Sequence, residues 1–190
     1  MEMVCKNFLR QVLITLLTIL MNGCQKEDDG VIAFVGDSIT ERWDLRTYFP
    51  NCLTLNYGLN GAGIRYVQSL AGSMQGKKVV VLIGTNDNHN WNEEYVDTYA
   101  ASVRKLDAKE VIIVSILPRK AKGDRPFINA DIEAVNEELK AMSAECGWKF
   151  VDVFHLFQKD DIINLNCYTD GLHLSDYGYE ILGHEIIKVP

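Results

Sequence analysis

A hydroxyl group, an imidazole and a carboxylate in this chain stand where they could act together. Ser38 follows closely on the apolar run 31–35, and Asp170 precedes His173 by three residues near the C-terminus. Serine is a weak nucleophile that needs a base to take its proton, and histidine is the commonest such base. Asp170 would fix the tautomer of His173 and stabilise its imidazolium form. The pattern predicts nucleophilic catalysis at Ser38.

Two further loops contain groups that could stabilise the negative charge formed in such a reaction. Attack on an ester carbonyl creates an oxyanion, which needs hydrogen-bond donors already directed at it. The glycine-rich stretch 57–63 offers the backbone N–H of Gly58 or Gly61, and Asn86 offers a side-chain amide. Together with the backbone N–H of Ser38, these groups predict an oxyanion hole with three donors.

Apolar strands must bring these loops to one place. Helical patterns, with apolar side chains every three or four residues, separate the strands. Strand and helix alternate, which predicts an α/β fold, a three-layer α/β/α sandwich with a five-stranded parallel sheet. Ligands bind such sheets beyond the carboxyl ends of the strands, where these loops lie. The predicted strands are 31–35, 52–56, 78–83, 111–116 and 150–154, and the clearest helices are 96–106, 128–142 and 175–188.

Four short blocks resemble those of the SGNH/GDSL hydrolase family and occur in the order typical of that family. The resemblance extends from residue 31 to the C-terminus, and it implies the flavodoxin-like fold of that family. Leu174 stands where the family often has proline after the histidine, which removes no reactive group. The blocks are GDSIT at 36–40, NYGLNG at 56–61, GTND at 84–87 and DGLH at 170–173.

The resemblance assigns a role to each candidate residue. Ser38 is implied as the nucleophile, and Asp170 and His173 as the acid and base that complete a catalytic triad. Within the second block the final glycine gives an N–H to the oxyanion hole, which favours Gly61 over Gly58. The Asn86 side chain and the backbone of Ser38 complete that hole.

The N-terminus differs from the rest of the chain. A basic head, a short apolar run and small residues predict that residues 1–23 are a signal peptide. Cys24 follows a glycine in a pattern that resembles a bacterial lipoprotein box, so residues 24–30 would be a lipidated cysteine and polar tether. The hydrolase domain would be 31–190. We expect an exported lipoprotein, anchored to the membrane by its lipid alone, at the outer membrane or surface of a Gram-negative bacterium.

The composition of the chain limits its partners. The chain has 190 residues and a formal net charge of −7, which predicts one domain and argues against nucleic-acid binding. Cys52, Cys146 and Cys167 show no metal-ligand spacing and are interpreted as small apolar residues. We expect no metal and no organic cofactor.

The predicted function is a serine carboxylester hydrolase that removes acetyl or other short acyl groups from O-acylated glycans or small ester substrates. The alternative enzymatic function is that of a lysophospholipase or acyl-ester lipase. A surface lipoprotein that binds glycans without turnover, and a flavodoxin-like phosphate binder, are alternatives outside this class.

Several neighbours of these blocks have roles that the sequence leaves open. Asp37 and Asp87 are expected to organise their loops rather than react. Trp43 and Trp91 could line a substrate pocket or could simply pack in the core. His89 could contact substrate, because loop residues at this edge of a sheet often do.

Overall fold

A computed structural model of the protein describes residues 30–92, 94–121, 128–159 and 162–190. The predicted signal peptide and the predicted lipidation site Cys24 lie outside the described residues. The hydrolase domain predicted from residue 31 is therefore the part of the chain to which the structural observations apply.

A five-stranded parallel sheet forms the centre of the domain, in the spatial order β2–β1–β3–β4–β5. The predicted α/β sandwich is confirmed. The strand order reverses between β1 and β3, and ligands bind α/β sheets at the carboxyl ends of the strands that flank such a reversal. The strands are β1 Ile32–Gly36, β2 Thr54–Gly58, β3 Lys78–Leu82, β4 Glu110–Val114 and β5 Lys149–Val151.

Six α-helices cover the two faces of the sheet in the part of the chain that the structure describes. Side chains alternate between the faces along each strand, so Ala33 and Val35 of β1 pack with α3, α4 and α5, whereas Phe34 packs with α1, α2 and α6. The helices are α1 Ser38–Glu41, α2 Leu45–Tyr48, α3 Ile64–Ser69, α4 Tyr95–Arg104, α5 Ile128–Glu145 and α6 Asp176–Ile187.

Three of the strands predicted from the sequence have boundaries wrong by two residues or more. The fourth strand ends at Val114 rather than at residue 116. The second strand is Thr54–Gly58 rather than 52–56, because Leu53 is 65% exposed and precedes the strand. The fifth strand ends at Val151, three residues earlier than predicted. Phe154 is still buried, but it lies in the 3₁₀ helix Phe154–Phe157.

A short antiparallel hairpin, β6 Gln158–Lys159 and β7 Ile162–Ile163, follows the sheet and was not predicted. Cys52, Cys146 and Cys167 are all free thiols. Over the described ranges, no helix combines the length and apolar character needed to cross a membrane.

Candidate active site

Ser38 lies at a tight turn between strand β1, which pairs with β2 and β3, and helix α1. Gly36 ends the strand, and a Cβ atom there would lie 2.1 Å from Thr40 Oγ1 and 2.3 Å from the carbonyl oxygen of Leu82, so only glycine fits. Asp37 caps the helix, since its Oδ1 accepts a hydrogen bond of 2.9 Å from the backbone N–H of Ile39. The chain therefore emerges from the sheet with Ser38 as the first helical residue.

Helix α1 has only four residues, and side chains from neighbouring elements hold it in place. The Tyr179 hydroxyl of α6 donates to the carbonyl oxygen of Ile39 at 2.7 Å. The Asn56 amide of β2 donates to the carbonyl oxygen of Thr40 at 2.8 Å. These bonds fix the orientation of the helix, and with it the position of Ser38.

Ser38, His173 and Asp170 form one continuous chain of hydrogen bonds. Ser38 Oγ lies 3.1 Å from His173 Nε2, and His173 Nδ1 lies 2.7 Å from Asp170 Oδ2. Asp170 Oδ1 also accepts from the backbone N–H groups of Leu172 and His173, at 3.0 and 2.8 Å. The structure thus brings together the three residues that the sequence singled out, although 132 positions separate Ser38 from Asp170.

The electrostatics of Asp170 determine which nitrogen of His173 carries a proton. The His173 ring, followed by the two backbone donors, holds the pKa of the Asp170 carboxyl well below its usual value. An ionised carboxylate can only accept hydrogen bonds, so Nδ1 of His173 must be the donor. In the neutral imidazole, Nε2 is then an acceptor directed at the Ser38 hydroxyl.

The two predicted oxyanion loops are joined to each other by polar contacts. The Asn86 side-chain amide donates to the carbonyl oxygen of Ala62 at 2.9 Å, and the amide has a second N–H available for a ligand. Gly61, the residue before Ala62, has a φ of +74°, a conformation that favours glycine. Gly61 and Asn86 thus lie on adjacent loops beyond the ends of β2 and β3.

The Asp87 carboxylate stabilises this pair of loops by accepting hydrogen bonds. Its Oδ2 accepts from the backbone N–H of Ile64 at 2.8 Å and from the Tyr95 hydroxyl at 3.2 Å. A Cβ atom at Gly63 would lie 2.2 Å from Asp87 Oδ1, so the second loop can approach the carboxylate only because this residue is glycine. Burial raises the pKa of Asp87 above its usual value.

Asp37 is the most buried acid at this edge of the sheet, with 1% of its surface exposed. Burial raises the pKa of Asp37 to about 6, and the nearby Asp87 adds to this effect. The hydrogen bond from Ile39 and the proximity of His173 act in the opposite direction. Asp37 and Asp87 both organise their loops, which is the arrangement expected from the sequence.

The aromatic and histidine residues close to the predicted blocks differ in how far they are buried. Trp43 is buried, with its ring 5.4 Å from that of Phe34 and 5.5 Å from that of Tyr179, so it packs in the core. Trp91 is half-buried against the opposite core cluster, and His89 is exposed on the loop after Asn86. No three His, Cys, Asp or Glu side chains among the residues described are grouped to hold a metal ion.

A cleft of about 440 Å³ opens beside His173 and includes residues that the sequence reasoning missed. It is lined by the loop 119–121 and by residues 170–173. The loop 119–121 lies beyond β4, as the other candidate loops lie beyond their strands, and that position was the signal that could have identified it. Arg119 of this loop donates to the carbonyl oxygen of Thr85 at 3.4 Å.

Comparison with known proteins places this architecture in a family. Residues 34–181 match the model of the GDSL-like lipase/acylhydrolase family. The chain belongs to this family. The matched range contains all four blocks of the predicted site. The family resemblance inferred from those blocks is therefore confirmed.

Individual members of the GDSL-like family that are similar to the chain include named esterases. A GDSL esterase/lipase of Arabidopsis thaliana is 30% identical over 142 residues, which are 62% of this chain and 55% of the plant protein. The chain thus spans about half the length of that relative. Platelet-activating factor acetylhydrolase IB subunit alpha2 of Rattus norvegicus is 27% identical over 172 residues, covering 81% of this chain and 73% of the rat protein.

Solved structures of GDSL-like proteins share the fold. A GDSL-like lipase from Bacteroides thetaiotaomicron superposes with a TM-score of 0.72 at 20% identity, covering 85% of this chain and 88% of the other. An acetyl xylan esterase from Geobacillus stearothermophilus superposes with a TM-score of 0.65 at 19% identity, covering 83% and 93%.

Proposed function

We propose that this protein is a serine carboxylester hydrolase that acts through an acyl-enzyme intermediate. The observation that supports this most is the hydrogen-bonded chain from Ser38 through His173 to Asp170 at the carboxyl edge of the sheet. A nucleophile, a base within hydrogen-bond reach and a group that orients the base are the parts that such catalysis requires.

In the first half of the reaction, Ser38 Oγ attacks the acyl carbonyl carbon while His173 Nε2 takes its proton. The ester oxygen then accepts that proton from His173 as the bond to the acyl carbon breaks, and the alcohol leaves. The acyl group remains on Ser38. Asp170, held as a carboxylate by three hydrogen bonds, stabilises the imidazolium that forms between these two transfers.

In the second half, water replaces the alcohol. His173 takes a proton from the water as the water oxygen attacks the acyl carbon, and it returns that proton to Ser38 Oγ when the acid is released. In both halves the carbonyl oxygen becomes negatively charged. We assign its stabilisation to the backbone N–H groups of Ser38 and Gly61 and to the side-chain amide of Asn86.

For the substrate, we propose acetyl or other short acyl esters of glycans. Asp170 and Asn86 are exposed, so the site is open to solvent and a bulky alcohol can approach it. Among the similar proteins, one relative is named an acetylhydrolase and one structural neighbour an acetyl xylan esterase. An open site beside a small cleft suits a short acyl group on a large alcohol better than a long acyl chain.

Hydrolysis of p-nitrophenyl esters from acetyl to long acyl chains tests this proposal, with Ser38→Ala measured beside the natural protein. We expect kcat/KM to fall steeply beyond the shortest acyl groups and hydrolysis to be lost in Ser38→Ala. Activity that peaks at long chains would favour the lipase alternative. Ester hydrolysis that persists in Ser38→Ala would contradict the mechanism.

We also propose that the protein is exported and anchored through a lipid on Cys24, as the N-terminal sequence indicates. Incorporation of radiolabelled palmitate into the protein in a bacterial host measures this directly. Label that is present in the natural protein and absent from Cys24→Ser would support the anchor. Equal label in both, or no label in either, would contradict it.

A further inference from the structure

The cleft beside His173 contains a positively charged side chain that the proposed mechanism does not use. Lys120 lines the cleft together with Arg119 on one side and the loop 170–173 on the other. The Lys120 side chain is exposed. No residue in the described ranges is seen to form an ion pair with its ammonium group.

The backbone of Lys120 is fixed against the loop that contains the acid and base. Its N–H donates to the carbonyl oxygen of Gly171 at 2.7 Å. Gly171 has a φ of +84°, and a Cβ atom there would lie 2.7 Å from Lys120 Cβ and 3.2 Å from its Cδ. The aliphatic part of Lys120 therefore packs on Gly171, which lies between the acid Asp170 and the base His173 in the sequence. The Tyr168 hydroxyl also donates to the carbonyl oxygen of Pro118, which joins the two loops a second time.

The chemistry of the reaction determines which part of the substrate reaches this cleft. His173 Nε2 gives its proton to the oxygen of the leaving alcohol, so that alcohol must lie on the side of His173. With the proposed oxyanion hole, the carbonyl oxygen would lie instead toward Asn86 and Gly61. Because His173 itself lines the cleft with Lys120, the cleft would receive the alcohol part of the ester.

The described residues that line this cleft differ in net charge from the whole protein. The chain has a net charge of −7, whereas these lining residues include the cations of Arg119 and Lys120 and one carboxylate, Asp170. That carboxylate already accepts three hydrogen bonds, two of them from the backbone and the ring of His173. Arg119 is turned toward the carbonyl oxygen of Thr85. Lys120 is thus the cation best placed to meet a bound alcohol.

We propose that Lys120 determines substrate specificity by binding an anionic group, a carboxylate or a phosphate, on the leaving alcohol of the ester. This inference rests on the proposed esterase function and makes it more specific. Esters of acidic glycans, which contain uronic acid carboxylates, are the substrate class that fits both the open site and this charge.

Two matched acetyl esters test the proposal: 4-acetoxybenzoate, which is anionic, and its methyl ester, which is neutral. The measured quantity is the ratio of kcat/KM for the anionic ester to that for the neutral ester. We expect Lys120→Met to lower this ratio about threefold to tenfold, since one partly exposed ion pair contributes about 1 kcal/mol. Lys120→Glu should lower it further. Adding salt should lower the ratio in the natural protein and leave it nearly constant in Lys120→Met.

A matched control is Lys105→Met, which removes an exposed lysine that caps the C-terminus of α4 and does not line the cleft. Its ratio should equal that of the natural protein. A ratio within twofold of the natural value in both Lys120 variants would overturn the proposal. A neutral ester that is not hydrolysed, or is hydrolysed equally by Ser38→Ala, would instead overturn the esterase function on which the proposal rests.

A third ester, 4-acetoxyphenyl phosphate, distinguishes the two anion sources. A Lys120-dependent preference for the carboxylate ester would support acidic glycans as the substrate class. A Lys120-dependent preference confined to the phosphate ester would support the role of Lys120 and direct the search to phosphorylated alcohols, which would overturn the assignment to uronic acids.

Discussion

The two halves of the candidate site are built in different ways. The nucleophile turn, residues 36–41, lies in the core: Ser38 is 4% and Asp37 1% exposed. The acid–base loop, residues 168–174, has buried ends, Tyr168 and Leu174, but its acid lies at the surface, with 55% of the Asp170 side chain exposed. The sheet and two neighbouring elements position the turn, whereas local hydrogen bonds and two bonds to the segment 118–120 position the acid–base loop.

This difference indicates which substitutions should change activity with little effect on stability. In the acid–base loop, the exposed Asp170 side chain can be removed with little loss of packing, so its substitution should affect turnover more than stability. In the nucleophile turn, the side chains are enclosed, so a substitution should also lower the free energy of unfolding.

The largest expected effect comes from His173→Ala in the acid–base loop. Loss of the group placed to take the Ser38 proton should lower kcat by about 10⁴- to 10⁶-fold. The free energy of unfolding should fall by about 1 to 2 kcal/mol, because the His173 side chain is only 15% exposed and its two ring hydrogen bonds are lost. Ester kinetics and urea unfolding measure the two quantities. A kcat within tenfold of the natural value would remove His173 from the mechanism.

Asn86→Ala should have the next largest effect, because it removes a proposed oxyanion donor that belongs to neither half. Removal of one oxyanion donor should lower kcat about 10²- to 10³-fold, with little change in KM. Steady-state kinetics on p-nitrophenyl acetate measure this effect. A loss below threefold would exclude Asn86 from the oxyanion hole.

Gly36→Ala tests the packing of the nucleophile turn. The added Cβ would meet the backbone of Leu82 at 2.3 Å, and neither strand can move aside easily. We expect the unfolding free energy to fall by about 3 kcal/mol, the upper range for overpacking. Gly30→Ala is the control, since a Cβ there meets nothing within 4 Å. Equal urea midpoints for the two variants would contradict a tightly packed turn.

The smallest expected effect concerns the buried carboxyl of Asp37. Its pKa is about 6 in the folded protein, whereas an unperturbed aspartate has a pKa of 3.8. As pH rises through this window the unfolded chain releases the proton first, so stability falls, by about 3 kcal/mol at most. Asp37→Asn keeps a capping side chain but cannot ionise. The difference in unfolding free energy between Asp37→Asn and the natural protein should therefore shift in favour of the variant from pH 4 to pH 7. Urea unfolding at a series of pH values measures this difference. A difference that does not change with pH would contradict the raised pKa of Asp37.

The same two regions explain how far the sequence could predict the structure. Ser38 could be identified because it follows the apolar run of the first strand, and His173 because it ends the block DGLH. The position beyond β4 could have pointed to the loop of Lys120, but the contact of Lys120 with Gly171, 51 positions away, could not be predicted. Trp43 could not be assigned either, since only the packed rings of Phe34 and Tyr179 show that it is buried.

The errors in the strand boundaries also have physical causes. Leu53 looks like a core residue, but it precedes an edge strand and is exposed. Phe154 continues an apolar alternation, yet a 3₁₀ helix buries it as effectively as a strand would. Apolar character correctly predicts that Phe154 is buried, but it fails for Leu53, and the backbone conformation at both positions depends on tertiary contacts.

The most direct test of the account is to trap the acyl-enzyme. The protein would be mixed with p-nitrophenyl acetate, quenched in acid within one turnover, digested and analysed by mass spectrometry. We predict one acetyl group, located on Ser38, and none in Ser38→Ala. An acetyl group on another residue, or equal labelling of Ser38→Ala, would contradict Ser38 as the nucleophile.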